Sequence, residues 1–343
     1  MRQPVRLGIA LVLTLATTAC STAVGTGSPP QGGAPHATAP TALFDSCGRQ
    51  LSFSQTPGRA VTLDQVSTET LLALGLQEAM AGTANLKTKI PAPYEAAYAE
   101  VPVIAPQIAT GEQMRAANPD FVMAGSADLF TEDRAGTRAE LEALDVPTFV
   151  SAVDCPEHSP VGTTPFELLF SDYEKLGKVF GAEEQTGRLV TEQRAAVVKA
   201  TEIGVQVPQG GDRPTVLFLY SVFNGMPFVA GGSGLPSEMS RIVGVKNAFD
   251  DVDDDWPEVS WEEVARRDPD FIVIGDLSER GRPGDSAAEK LSAMTQHPVV
   301  SKLAALRNNK VIEVPGIELD PSVRSVQALR LLAEGVRDLG HAR

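Results

Sequence analysis

A chain of 343 residues, 43% of them hydrophobic, is long enough for two domains and apolar enough for packed cores. Its formal net charge of −15 excludes the basic footprint that nucleic-acid binding needs, so no nucleic-acid partner is expected. Beyond the N-terminus no stretch is long and apolar enough to cross a bilayer.

The first residues form an export signal. Arg2 and Arg6 make a positive start, residues 7–15 an apolar core, and Thr17-Thr18-Ala19-Cys20 a cleavage region. It looks like a bacterial lipoprotein signal. Residues 1–19 are then removed and Cys20 becomes the lipidated first residue, with Thr17 standing where that motif usually has Leu. The other reading is ordinary cleavage beside an incidental cysteine. Residues 20–43, rich in Gly, Pro, Ser, Thr and Ala, are expected to be a flexible tether. Cys47 and Cys155 are the only other cysteines; in an exported protein this even remainder predicts a disulfide.

From residue 60 the pattern is strand, turn, helix. Residues 60–63 suit a short strand, and Thr68-Glu69 a helix start, with Gly75 as the stop. A short helix ends at Ala117. Asn118-Pro119-Asp120 turns the chain into a strand at 121–124, and Asp145-Val146-Pro147 leads to another at 148–150. Thr164-Pro165-Phe166-Glu167 combines a hydroxyl cap, proline at the first helical position and a carboxylate three residues after the cap. It predicts a helix to about residue 179 that Gly181 ends. A second helix of about 22 residues, some 33 Å long, follows from about 183.

The same grammar then returns. Residues 215–219 suit a buried strand ending at Tyr220, and Ser237-Glu238 a helix stopped by Gly244. Residues 261–267 suit a helix, Asp268-Pro269-Asp270 a turn, and 271–274 and 310–314 strands. Asp320-Pro321 is expected to cap a C-terminal helix. Residues 115–123 and 265–273 share a Pro-Asp-Phe core followed by aliphatics, and Thr68-Glu69 to Gly75 parallels Ser237-Glu238 to Gly244. The expected fold class is therefore α/β: two similar lobes with largely parallel sheets, joined by one long helix, with a ligand cleft between them. The boundaries are 44–182 for the first lobe, 183–207 for the helix and 208–343 for the second lobe.

Ligand groups in open α/β sheets come from loops beyond the strand C-termini. That rule selects Asp64-Gln65-Val66-Ser67, with Gln65 and Ser67 as polar candidates, and Tyr220-Ser221-Val222-Phe223-Asn224. Phe223 is carried forward from the latter loop as a ligand-binding candidate, and Tyr220, Phe228 and Trp256 offer flat apolar surface to a large ligand. Arg241, Arg282 and Arg324 are candidates for anionic groups, Arg324 being carried forward. Gly231-Gly232-Ser233-Gly234 is either a plain turn or a cleft edge offering backbone N–H groups to an anion. The run 250–255 is a solvated acidic loop rather than a calcium loop, since it lacks the Gly and distal Glu of an EF-hand. Four scattered histidines show no metal-ligand spacing, so no metal site, cofactor or catalysis is expected.

Arg59-Ala60-Val61-Thr62-Leu63, Thr68-Glu69, Ala73-Leu74-Gly75-Leu76, Asn118-Pro119-Asp120-Phe121-Val122, Trp256-Pro257-Glu258-Val259-Ser260 and Asp268-Pro269-Asp270-Phe271-Ile272-Val273 occur in this order behind the export signal. In this the chain resembles bacterial ABC-transporter substrate-binding proteins of the vitamin B12 and ferric-siderophore class, over about residues 44–340. The resemblance implies an extracytoplasmic, lipid-anchored protein that captures a ferric siderophore or corrinoid-like compound and delivers it to a permease dimer. Cobalamin, haem and a deazaflavin precursor stay open as ligands. Haem would need an axial group from Tyr94, Tyr98, Tyr220 or His158. The resemblance also implies an aromatic cleft residue at Trp256. It further implies permease docking through Glu112 and Glu262, which stand at the same offset before Pro119 and Pro269. Two readings from other classes are an exported α/β hydrolase using Ser221 or Ser233, and an interaction protein that kept the fold but lost the ligand.

Overall fold

The computed structural model describes residues 42–210 and 213–342; the expected signal segment, Cys20 and the tether through residue 41 lie outside them. An antiparallel hairpin of β1 (Ala42–Ser46) and β2 (Arg49–Phe53), not among the expected elements, comes first. Its turn residue Cys47 is bonded to Cys155, with a Cα–Cα distance of 5.6 Å. The bond ties the hairpin to the segment that follows the last strand of the first sheet.

That sheet contains β3 (Ala60–Thr62), β4 (Met80–Ala84), β5 (Val103–Ala105), β6 (Phe121–Ala124) and β7 (Thr148–Val150), in the order β5-β4-β3-β6-β7. All neighbours are parallel. β3, β6 and β7 are buried throughout, as strands covered on both faces must be. Phe53, Phe121, Phe149 and Phe180 pack together in the core on one side.

The second sheet contains β8 (Thr215–Phe223), β9 (Met226–Val229), β10 (Lys246–Asn247), β11 (Phe271–Asp276) and β12 (Val311–Pro315). Its parallel order is β10-β8-β11-β12, with β9 antiparallel on β8. β8 does not stop at Tyr220. Residues 220–223 continue as one arm of a hairpin whose turn is Asn224-Gly225, with φ of 51° and 80°. Asn-Gly between apolar runs is the strongest two-residue hairpin signal, and here it overrides the expected loop.

The duplicated Pro-Asp-Phe segments have the same structural task in both lobes. Asn118 and Asp268 end their short helices in the left-handed region, with φ of 47° and 42°. Asp120 then accepts from the Gly58 and Arg59 N–H groups, and Asp270 from the Thr215 N–H. Each carboxylate pins the start of the first strand of its lobe's parallel sheet. Phe121 therefore enters the sheet beside Ala60 and Phe271 beside Val216.

Two helix starts differ from expectation. The first long helix of each lobe spans Gln65–Ala73 and Leu235–Ile242, so Thr68-Glu69 and Ser237-Glu238 lie inside rather than at the cap. Asp64 captures the Ser67 N–H and caps the first helix earlier. Thr68 and Ser237 instead spend their hydroxyls in buried hydrogen bonds, to Thr62 and Thr83 and to the Gly231 carbonyl. The C-terminal helix likewise begins at Ser325, not at Asp320.

Helices Pro165–Phe180 and Glu183–Gly204 are broken at Gly181, with φ of 67°. They pack antiparallel, Glu167 pairing with Arg194 and Thr186 lying against Gly177. The first buries Leu176, Val179 and Phe180 in the core of the first lobe, and Phe166, Leu169, Phe170 and Tyr173 in that of the second. The second presses Gly204 onto the second lobe so closely that a Cβ there would lie 2.1 Å from the Ile242 carbonyl oxygen. The described residues consequently belong to one compact unit, with side chains of the two lobes in contact.

Candidate functional site

The loops leaving the C-terminal ends of the parallel strands converge between the lobes, where they line a half-open cavity of about 210 Å3. Asp64 and Gln65 follow β3, Lys87 follows β4, Gly125 and Ser126 follow β6, and Val153 and Asp154 follow β7. The second lobe contributes Asp255, Trp256, Ile317, Asp320 and Pro321.

Polar side chains tie the lobes across this seam. Lys87 Nζ lies 3.2 Å from Asp320 Oδ2, which also accepts from the Tyr220 hydroxyl at 3.1 Å. The Asp320 carboxylate raises the Lys87 pKa above the ordinary lysine value, so the ammonium stays charged despite its burial. Burial, reinforced by Asp320, pushes the Tyr220 phenol up and keeps it neutral. The Gln65 carbonyl oxygen accepts from the Lys87 and Thr88 N–H groups at 2.8 Å each and sets the loop that carries Lys87. A second tie is the buried pair of Arg324 with Glu69, whose Nε–Oε2 distance is 2.7 Å; Arg324 also donates to the Lys89 carbonyl. A third is the Lys89 N–H donating to Glu279 at 2.6 Å.

Trp256 forms the aromatic wall, with Tyr220 packed behind it at a ring-centroid distance of 4.5 Å. Beside it stands Asp255, whose carboxyl is raised by burial and further by the charge of Asp154 on the other lobe. Asp154 is also raised by burial, although one of its oxygens accepts from the Ala127 N–H. Two partly desolvated carboxylates thus line the same cavity from opposite lobes.

Of the residues that the sequence singled out, Gln65 and Trp256 line the cavity, and Tyr220 lies directly behind it. Ser67 does not: it is fully buried, with its hydroxyl on the Asp64 carboxylate. Phe223 is 62% exposed beside the hairpin turn, paired with Met226, and Phe228 is half-buried on β9 opposite Ser221. Arg324 is held by Glu69 rather than free for an anion, and Arg241 by Glu238. The glycine segment is no anion cradle. Gly231 and Gly232 give their N–H groups to the carbonyls of Asp255 and Val252, and added Cβ atoms would lie within 2.5 Å of that loop's backbone. The loop 250–255 is solvated only in part, since Asp255 faces the cavity.

Lys87, Asp154 and Asp320 are functional candidates missed from sequence. The strand-end rule, applied also after residues 80–84, 148–150 and 311–315, points to all three. Tyr94 lies on a groove beside the linking helix, Tyr98 on another face of the Lys87 loop, and His158 beside the disulfide. Ser221 is a paired strand residue. Glu112 and Glu262 are both exposed at the second position of their short helices, behind the caps Thr110 and Ser260.

Two α/β lobes closing strand-end loops on a cavity define a two-lobed solute-binding protein. The chain belongs to the periplasmic binding protein family, whose profile matches residues 61–317. It is 26% identical over 226 residues to the vitamin B12-binding protein of Yersinia pestis (strain Pestoides F), covering 64% of this chain and 70% of that one. A periplasmic binding protein from Veillonella parvula dsm 2008 superimposes with a TM-score of 0.74 at 28% identity, over 87% of this chain and 98% of that one. An ABC-type Fe3+-hydroxamate transport system protein from Saccharomonospora viridis DSM 43017 shares the fold, with a TM-score of 0.71 at 22% identity over 86% and 98%.

Proposed function

We propose that this chain is the solute-binding component of an ABC importer, anchored outside the cytoplasm by lipid on Cys20, and that it captures a ferric siderophore or similarly bulky chelate between its lobes. On this reading residues 44–182 and 208–343 are the lobes and 183–207 is the linking helix. The observation that carries the reading is the interlobe cavity, with an indole wall backed by a tyrosine and convergent polar groups from both lobes. At about 210 Å3 it is smaller than the roughly 300–1,000 Å3 of ordinary ligand pockets, so the lobes part to admit the ligand. Parting breaks the Lys87–Asp320 and Glu69–Arg324 pairs.

The vitamin B12-binding relative keeps a corrinoid in view as the alternative ligand. Haem is disfavoured, because Tyr94, Tyr98 and His158 lie off the cavity and the Tyr220 hydroxyl is committed to Asp320. A chelate that brings its own metal ligands makes no such demand. Trp256 is the only tryptophan left in a Trp261→Phe variant. Its fluorescence should be quenched by ferric chelates or by cobalamin; unchanged emission at saturating concentrations of both would end this assignment of the cleft. Delivery rests on Glu112 and Glu262 as paired docking points for the permease dimer. The double alanine variant should keep ligand affinity and lose most uptake in cells. Normal uptake at wild-type abundance would leave the two glutamates only their favourable place at helix N-termini.

A further inference from the structure

We propose that the cleft selects chelates that carry positive charge, such as a ferric hydroxamate with a free ammonium group, and rejects polyanionic chelates. The inference rests on the chelate-binding reading above and concerns the charge of the cargo. Among the described residues, four aspartates line the cavity against one cation, Lys87, which is already paired with Asp320. Asp64 is spent as well, accepting from the Ser67 and Gly125 N–H groups.

Asp154 accepts from the Ala127 N–H and Asp255 from Ser233, but neither carboxylate has a cationic partner among the described residues, and both line the cavity. They come from opposite lobes, and the charge of one opposes ionisation of the other. Closing the lobes on an empty cleft therefore brings like charges together. An ammonium group held between them removes that repulsion and donates to carboxylates of both lobes, which couples capture to closure. The indole of Trp256, next to Asp255, adds a π face of the kind that holds ammonium ions. A polyanion in the same place meets two carboxylates and no unpaired cation. Arg324 is locked to Glu69, and the Gly231 and Gly232 N–H groups are consumed by the neighbouring loop. Rejection is thus built from like charge without a cationic partner, a repulsive element added to the attractive one. The net charge of −15 also draws cations toward the molecule.

The test is a titration of the full chain, followed by tryptophan fluorescence, with three ferric complexes. The first is a linear trihydroxamate with a free terminal amine. The second is the same molecule with that amine acetylated, which removes the charge and leaves the iron coordination unchanged. The third is a trianionic tris-catecholate. The amine form should bind at least about tenfold more tightly than the acetylated form, as loss of a charge-assisted contact implies, and the tris-catecholate should bind weakest. The amine-to-acetyl affinity ratio should fall toward one in Asp154→Asn combined with Asp255→Asn, a pair of near-isosteric changes. Equal binding of the amine and acetyl forms, or tightest binding of the tris-catecholate, overturns the charge selection and leaves the chelate reading standing. Failure of all three to bind the folded protein overturns both.

Discussion

Glu318 offers a direct test of how the closed seam is stabilised. Its side chain is only 7% exposed, it lies near Glu69 and Arg324, and its Oε2 has no hydrogen-bond partner among the described residues. Burial pushes its carboxyl up from 4.5 to about 7, with Arg324 opposing the shift and Glu69 adding to it. The folded state thus holds a proton that the unfolded chain releases. The stabilising contribution is complete below about pH 4.5 and is lost as pH rises through 7. The gap between the two pKa values corresponds to about 3 kcal/mol above pH 7, at 1.36 kcal/mol per pH unit. Glu318→Gln keeps the shape and removes the ionisation. The variant should be more stable than the parent by up to about 3 kcal/mol at pH 8, and the difference should shrink to well under 1 kcal/mol at pH 4.5. Urea unfolding of both proteins at pH 4.5, 6, 7 and 8 measures this. Burial also raises Asp172, to about 6, so both proteins keep some pH dependence and the difference between the curves is the informative quantity. Parallel stability curves across that range would refute the account of Glu318 as a buried acid that is neutral when folded and charged when unfolded.

Three further outcomes are expected. Arg324→Leu leaves Glu69 buried without its cation, and should lower unfolding free energy by about 3 kcal/mol in a denaturant titration; a loss under 1 kcal/mol would mean that the pair contributes little to the closed form. Reducing Cys47–Cys155 opens a link across 108 residues of sequence. The chain-entropy model puts the loss at about 4–5 kcal/mol, readable as a drop in the urea midpoint with reductant, and an unmoved midpoint would show that the hairpin docks without the bond. Gly204→Ala drives a methyl into the Ile242 carbonyl where the linking helix meets the second lobe. A cost of about 1–3 kcal/mol or more is expected by calorimetry, and wild-type stability would show that the contact yields freely.

Much of the fold was legible from local chemistry. Proline at the first position and Gly181 at the end bound helix Pro165–Phe180, because one residue presets φ and the other tolerates the left-handed region. The repeated Pro-Asp-Phe segments marked equivalent places in two lobes, and their aspartates do the same work in each. The cysteine count pointed to the bond that the structure contains. Gln65 came from the rule that ligands meet strand ends, and Trp256 from being a rare aromatic in a loop and from the family resemblance; both line the cavity. Other features depended on partners distant in sequence. Asp64 takes the Ser67 N–H and starts the helix, while the Thr68 hydroxyl donates to the Asp64 carbonyl, and spacing alone does not show which of the two residues is the cap. Asp320 has the look of a helix cap, yet it faces Lys87 across the seam from 233 positions away. Arg324 has the look of a free anion site until Glu69 is brought against it. The charge of the cleft depends on which acids find cations and which do not. Only the closing of one lobe on the other decides those pairings, because ionic partners are chosen by distance and burial in space rather than by order along the chain.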